Sequence, residues 1–245
     1  MKRREFLHYT GLGLGAGLLS QIPIIGKAVP LEAPWYTIDV AKKKELADVA
    51  LNAARSKGAT YTDVRIGRYL NQFIITREDK VENVVNTESY GIGIRVLANG
   101  SWGFASTDQM DKDSIARAAA TAVAIAKENA RLLTTPVQLA PQKGYGEVSW
   151  KTPIEKNAFD VPVKEKADLL LSVSDVAMKG GADYVGSFMF LVNEQKYFAS
   201  SDGSYIDQDV HRIWPTFQIT KIDKATGKFE TRNALSSPAE WAMNT

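Results

Sequence analysis

The segment Tyr90–Thr107, YGIGIRVLANGSWGFAST, sets the tightest limit on what this chain can fold into. Apolar residues alternate through Ile92, Ile94 and Val96, the run stops at Asn99-Gly100, and Trp102 and Phe104 resume it. Asn-Gly accepts the two positive φ angles of a tight type I′ turn, so the pattern predicts a β-hairpin whose register the turn fixes. Gly91 and Gly93 in its first strand leave room for close approach of a ligand or another backbone. With Arg95 and Trp102 they form a candidate peptide groove, weighed against the plainer reading of sheet packing and a surface cation.

Around the hairpin, helical and strand periods alternate. Asp39 to about Lys57 repeats apolar residues at helical spacing (Leu46, Val49, Ala50, Ala53, Ala54), with Lys42, Lys43, Lys44, Asp48 and Arg55 expected to face water. Strands are predicted over 61–69, 72–77 and 81–87, with turns at Leu70-Asn71 and Glu78-Asp79-Lys80. The Ala-rich stretch Asp111–Arg131 predicts a helix that packs closely on a sheet. Pro136, Pro141 and Pro153 and little period over 134–161 mark a linker. Pro162 then opens a helix to Lys179 with Leu169, Leu170, Val173, Val176 and Ala177 inward, followed by strands near 184–193, 196–200, 205–210 and 213–222. A shift of 123 residues aligns Gly58-Ala59-x-Tyr61 with Gly181-Ala182-x-Tyr184 and Lys43 with Lys166, a pattern that an old duplication or two unrelated helix-then-strand units would give. The expected fold is α+β, two helix-plus-antiparallel-sheet domains over 39–133 and 162–245, with 29–38 and 134–161 as linkers.

The N-terminus follows a different logic. MKRREFLHYTGLGLGAGLLS joins a basic cluster to a Gly/Leu-rich apolar run, and Gly26-Lys27-Ala28 offers small residues for cleavage, so 1–28 is expected to be a signal peptide. Arg3-Arg4 followed by Phe6 and Leu7 has the form of a twin-arginine motif, which implies export of a folded protein to the periplasm or another extracytoplasmic space. The membrane is then met only through that signal. Gly11, Gly13, Gly15 and Gly17 do not make a phosphate loop, because no strand precedes them.

Several chemistries are limited by residue supply. The chain has no cysteine, and its only histidines are His8 and His211. That removes thiolate chemistry and any multi-histidine zinc site. His211 with Asp207 and Asp209, or with Ser200 or Ser201, is a weak candidate for metal binding or hydrolysis; solvated strand residues are the favoured reading. Beyond residue 28 there are 26 basic and 27 acidic residues, so no nucleic-acid-binding surface is implied. Trp35, Trp102, Trp150, Trp214 and Trp241 are candidates for domain or subunit contacts.

The hairpin, GATYTDVRI at Gly58–Ile66 and the Ala-rich segment together resemble the N-terminal region of the TldD/PmbA family, best over 42–131. Members are called modulators of DNA gyrase and regarded as zinc metallopeptidases, or as metal-free partners of such hydrolases. The resemblance implies a first domain over 39–133 and an incomplete central domain over 162–245. The family's zinc motif, His-Glu-x-x-x-His, is absent from this sequence. The chain is therefore expected to be a non-catalytic N-terminal portion: no catalytic residue, no metal or cofactor of its own, and zinc only in a full-length catalytic protein. It would shape substrate access for proteolysis and meet a TldD/PmbA-type subunit in a homo- or hetero-oligomer, with peptides as substrates. The alternatives are a metal-free partner subunit and a free-standing extracytoplasmic binding module. Replacing both Arg3 and Arg4 with lysine should hold the protein in the cytoplasm, read by cell fractionation; unchanged export would overturn the twin-arginine reading.

Overall fold

The computed structural model describes residues 39–234. The expected signal segment with Arg3, Arg4, Phe6 and Leu7, together with Trp35 and Trp241, lies outside the described residues. The fold is α+β. In chain order its elements are α1 (Val40–Ser56), β1 (Tyr61–Arg77), β2 (Lys80–Ala98), β3 (Ser101–Thr107), α2 (Lys112–Ala130), β4 (Gly146–Lys151), α3 (Val163–Lys179), β5 (Tyr184–Ser200), β6 (Ser204–Ile222) and β7 (Phe229–Asn233).

The seven strands make one sheet in the order β3-β2-β1-β5-β6-β4, with β7 also paired to β6. All pairings are antiparallel except β4–β6, which is parallel. The predicted hairpin forms as β2–β3, with Asn99 at φ 51° and Gly100 at φ 74° in its turn. The predicted break at Leu70-Asn71 does not occur. Leu70 is buried and Asn71 bonds Thr87 across to β2, so β1 continues through both as one strand. For the same reason of continuous pairing, 81–87 merges into β2, and the four short strands expected after α3 become β5 and β6.

The two halves expected as separate domains share this sheet, because β1 pairs with β5 from Asp63↔Ser200 to Arg77↔Gly186. Their internal repeat is visible in the element lengths: 17, 17 and 19 residues for α1, β1 and β2, and 17, 17 and 19 for α3, β5 and β6. In the β1–β5 register Leu70 faces Asn193, its own counterpart at the 123-residue offset, so a local two-fold axis passes between them. The expected linker is not featureless either, since it supplies β4, whose GEVSWK side chains are all exposed and give no burial pattern to read.

All three helices cover one face of the sheet. Under α1 and α2 lies a core of Leu46, Ala50, Val64, Ile66, Ile92, Ile94, Ala122 and Val123; under α3 lies a second of Leu70, Ile74, Leu170, Met189, Leu191 and Ile213. Two cores therefore lie on one shared sheet. Between them Arg68, Gln72, Asn193 and Gln195 are buried, with Arg68 Nε donating to Glu88 at 2.6 Å and Gln72 to Asn86 at 2.8 Å.

Helix α2 is capped by Asp111, whose Oδ1 accepts from the Ser114 N–H at 2.8 Å. Its alanines let β3 approach so closely that a Cβ on Gly103 would lie 2.0 Å from the Ala122 carbonyl oxygen. Lys43, expected to face water, is buried instead, and so is Lys166. Lys43 on α1 donates to Asp207 at 2.8 Å, and its repeat counterpart Lys166 on α3 donates to the Ala158 carbonyl at 2.8 Å. Leu169 and Val176, expected inward on α3, are 45% and 70% exposed, because Lys166, Ala167, Leu170 and Ser174 form the buried stripe.

Two predictions follow from this packing. Gly103→Ala should cost about 3 kcal/mol by denaturant unfolding, since backbone atoms of α2 block the methyl group. Burial lowers the Lys166 ammonium to about 8. A folded-state value below the unfolded one means the cost of the buried charge is fully present below pH 8 and is relieved as pH rises towards 10.5. Lys166→Met should therefore raise unfolding stability by about 1–2 kcal/mol at pH 7 and by less at pH 10.

Candidate functional site

The candidate groove residues sit on the helix-free face of the sheet, on β2 and β3. Gly93 offers no empty slot, because the Phe104 ring from the paired strand lies 3.1 Å from where its Cβ would be. At Gly91 the same position is 3.2 Å from the Thr107 carbonyl oxygen. Arg95 is held from two sides: its Nε and Nη2 reach Asp63 Oδ2 at 2.8 and 2.7 Å, and its guanidinium stacks 4.7 Å from the Trp102 ring centre. Arg65 Nη1 stands 2.8 Å from the other Asp63 oxygen. Asp63 is fully buried, so two arginines balance a charge that would otherwise be costly to bury. The structure thus brings Gly91, Gly93, Arg95 and Trp102 together on one face, occupied by their own side chains.

His211 lies on the opposite, helix-bearing face. Its Nε2 is 3.0 Å from Asn193 Nδ2 and 3.3 Å from Asp209 Oδ1, and Asn193 also donates to Asp209 at 2.6 Å. Burial pushes the Asp209 carboxyl up, but hydrogen bonds from His211 and Asn193 outweigh it, and its net shift is downward. Asp207, the residue between the two halves of the idea, points into the ion pair with Lys43. Ser200 pairs with Asp63 on β1, while His211 pairs with Asn193, seven residues further along β5, about 23 Å by strand rise. Ser201 Oγ accepts from the Thr62 N–H. No serine–histidine dyad is assembled from these residues; Ser200 and Asp207 are buried and Ser201, Asp209 and His211 half-buried, where the sequence reading favoured solvated residues.

A zinc ion needs three or four closely grouped nitrogen, sulfur or carboxylate donors. Among the described residues no three histidines, cysteines, aspartates or glutamates are grouped to hold one. His211 with Asp209 supplies one imidazole and one carboxylate, already bonded to each other. These residues do not fit zinc. Among the described residues no helix is long and apolar enough to cross a membrane.

The feature that sequence reasoning missed is a cleft of about 600 Å³ on the helix-free face at the other end of β1 and β5, lined by Arg77, Glu78, Gly186, Phe188, Trp214 and Gln218 among others. Only the Glu78-Asp79 turn was legible there; nothing in the sequence brings β1, β5 and β6 side by side.

Residues 62–126, from the start of β1 through most of α2, match the family model described as PmbA/TldA metallopeptidase domain 1. A metalloprotease of Methanothermobacter thermautotrophicus is 28% identical over 156 residues, 62% of this chain and 32% of that protein. The chain thus spans about a third of the length of this relative. Among solved structures, a protein described as a modulator of DNA gyrase from Bacteroides thetaiotaomicron superposes with a TM-score of 0.64 at 16% identity, over 78% of this chain and 44% of that one. One of the same description from Thermotoga maritima gives 0.62 at 13% identity, over 78% and 42%. TldE from Thermococcus kodakarensis gives 0.54 at 12%, over 77% and 42%. The structures share the fold, and over residues 62–126 the chain is similar to the first domain of the PmbA/TldD metallopeptidases.

Proposed function

We propose that this chain is the N-terminal, non-catalytic portion of an exported TldD/PmbA-type metallopeptidase. The observation that carries the reading is the match of residues 62–126 to that family's first domain, a span that runs through β1, β2, β3 and most of α2. In this reading the zinc site belongs to a part of the protein outside these residues. The sheet contributes a wall along which peptide substrates approach, and its surface meets a second TldD/PmbA-type subunit.

A second reading, the metal-free partner subunit, is favoured by the likeness to TldE. The two are separated by whether an in-frame His-Glu-x-x-x-His occurs anywhere in the protein that contains this sequence.

The purified chain should bind substoichiometric zinc by metal analysis and leave unstructured polypeptides uncut. It should co-elute with a zinc-bearing TldD-type subunit in size-exclusion chromatography. Chelator-sensitive hydrolysis by this chain alone, or absence of any association, would overturn the reading.

A further inference from the structure

The internal repeat sets α3 beside α1 and β6 beside β2, residue for residue at the 123-residue offset. The strand register is the same in both: Ile94 faces Val64 on β1, and its counterpart Phe217 faces Ser187 on β5. In the first repeat Leu46, Ala50 and Ala54 of α1 and Ile92, Ile94 and Val96 of β2 are all buried. They are buried because α2 packs against both elements and adds Ile115, Ala119, Ala122 and Val123 to the same core.

The counterparts of these six residues are also apolar, but they are not covered. Leu169 and Pro215 are exposed, and Val173, Ala177, Phe217 and Ile219 are only half-buried. Val176, the counterpart of the half-buried Ala53, is 70% exposed. These side chains line two adjoining hollows of about 330 and 310 Å³ between α3 and β6, which share Val173 and Phe217 and have no charged residue in their walls. A contiguous apolar surface of this kind marks a place where another element packs. Among the described residues no helix lies there.

Ala234 lines the first hollow, and the sequence that follows it is LSSPAEWAMNT. Ser237, Pro238 and Glu240 have the form of a helix start: an N-cap serine, proline at the first helical position and the glutamate of a capping box. From there Pro238, Trp241, Ala242 and Thr245 fall on one helical face, with Glu240 and Asn244 on the other. A helix from Pro238 to Thr245 would be about 12 Å long, against about 10 Å along α3 from Leu169 to Val176. So short a helix is not stable alone in water and needs an apolar surface to form on.

We propose that residues 237–245 form a helix seated in the groove between α3 and β6, with Trp241 over Val173 and Phe217, as the second repeat's equivalent of α2. It completes the second core as α2 completes the first. The proposal stands on the repeat and is independent of the functional reading above.

The chain has no cysteine, so a single introduced one carries a spin label without ambiguity. In the full chain, a nitroxide on Val176→Cys should remove most of the intensity of the Trp241 indole N–H resonance, assigned with Trp241→Phe. The same label on Phe104→Cys, an exposed position on the opposite face of the sheet, should leave that resonance intact. Isotope-labelled chain mixed with spin-labelled chain of natural isotope content should show no loss. Trp241→Ala should lower the melting temperature by about 5–10 °C. Equal intensity with the two labels or an unchanged melting temperature would overturn the proposal. So would loss of intensity in the mixed sample, which places a second copy in the groove.

Discussion

The pairing of β1 with β5 is the interaction on which the rest of this structure depends. Fifteen consecutive residue pairs, from Asp63↔Ser200 to Arg77↔Gly186, join two helix-and-hairpin units that are far apart in sequence. Each unit alone would present a strand edge with unmet backbone donors and acceptors. Joined antiparallel about Leu70 and Asn193, the two edges satisfy each other, and all three helices fall on the same side. The hairpins then extend outward, β2 and β3 on one side, β6 with β4 and β7 on the other.

This arrangement makes the two faces chemically different. The helix-bearing face holds two apolar cores with buried Arg68, Gln72, Asn193 and Gln195 between them, and His211 and Asp209 belong to that side. The helix-free face carries the charged cluster of Asp63, Arg65 and Arg95 at one end and aromatic side chains at the other, including the stacked pair Phe73 and Phe190 at 4.1 Å. The repeat thus gives two related positions opposite contents: a neutralised carboxylate at Asp63 and open space at Gly186.

Much of the secondary structure was legible because it depends on local chemistry. Asn99-Gly100 fixed a turn through backbone φ preference, Asp111 fixed a helix start through a side-chain cap, and Pro162 marked the residue before α3. The misreadings share a cause. Leu70-Asn71 looked like a turn until its neighbours on β2 and β5 held it extended, and Lys43 looked like a solvent-facing lysine until Asp207, 164 residues away, met it. The groove candidates lie on the predicted hairpin, but Phe104 and Asp63, which fill the space around Gly93 and Arg95, come from register rather than from composition.

By itself, then, the sequence determined the alternation of helices with antiparallel strands, the hairpin at Asn99-Gly100, the helix-and-strand repeat at a spacing of 123 residues, and the lack of a zinc-ligand set in these residues. Those follow from short-range dihedral preference, periodicity and residue supply. The tertiary structure alone decided that the two halves share one sheet, which lysines are buried, and that a cleft opens over Gly186 while its counterpart at Asp63 is closed. The physical reason is that strand edges and buried charges are satisfied by whichever partner the long-range register delivers, and that register is set by the whole sheet.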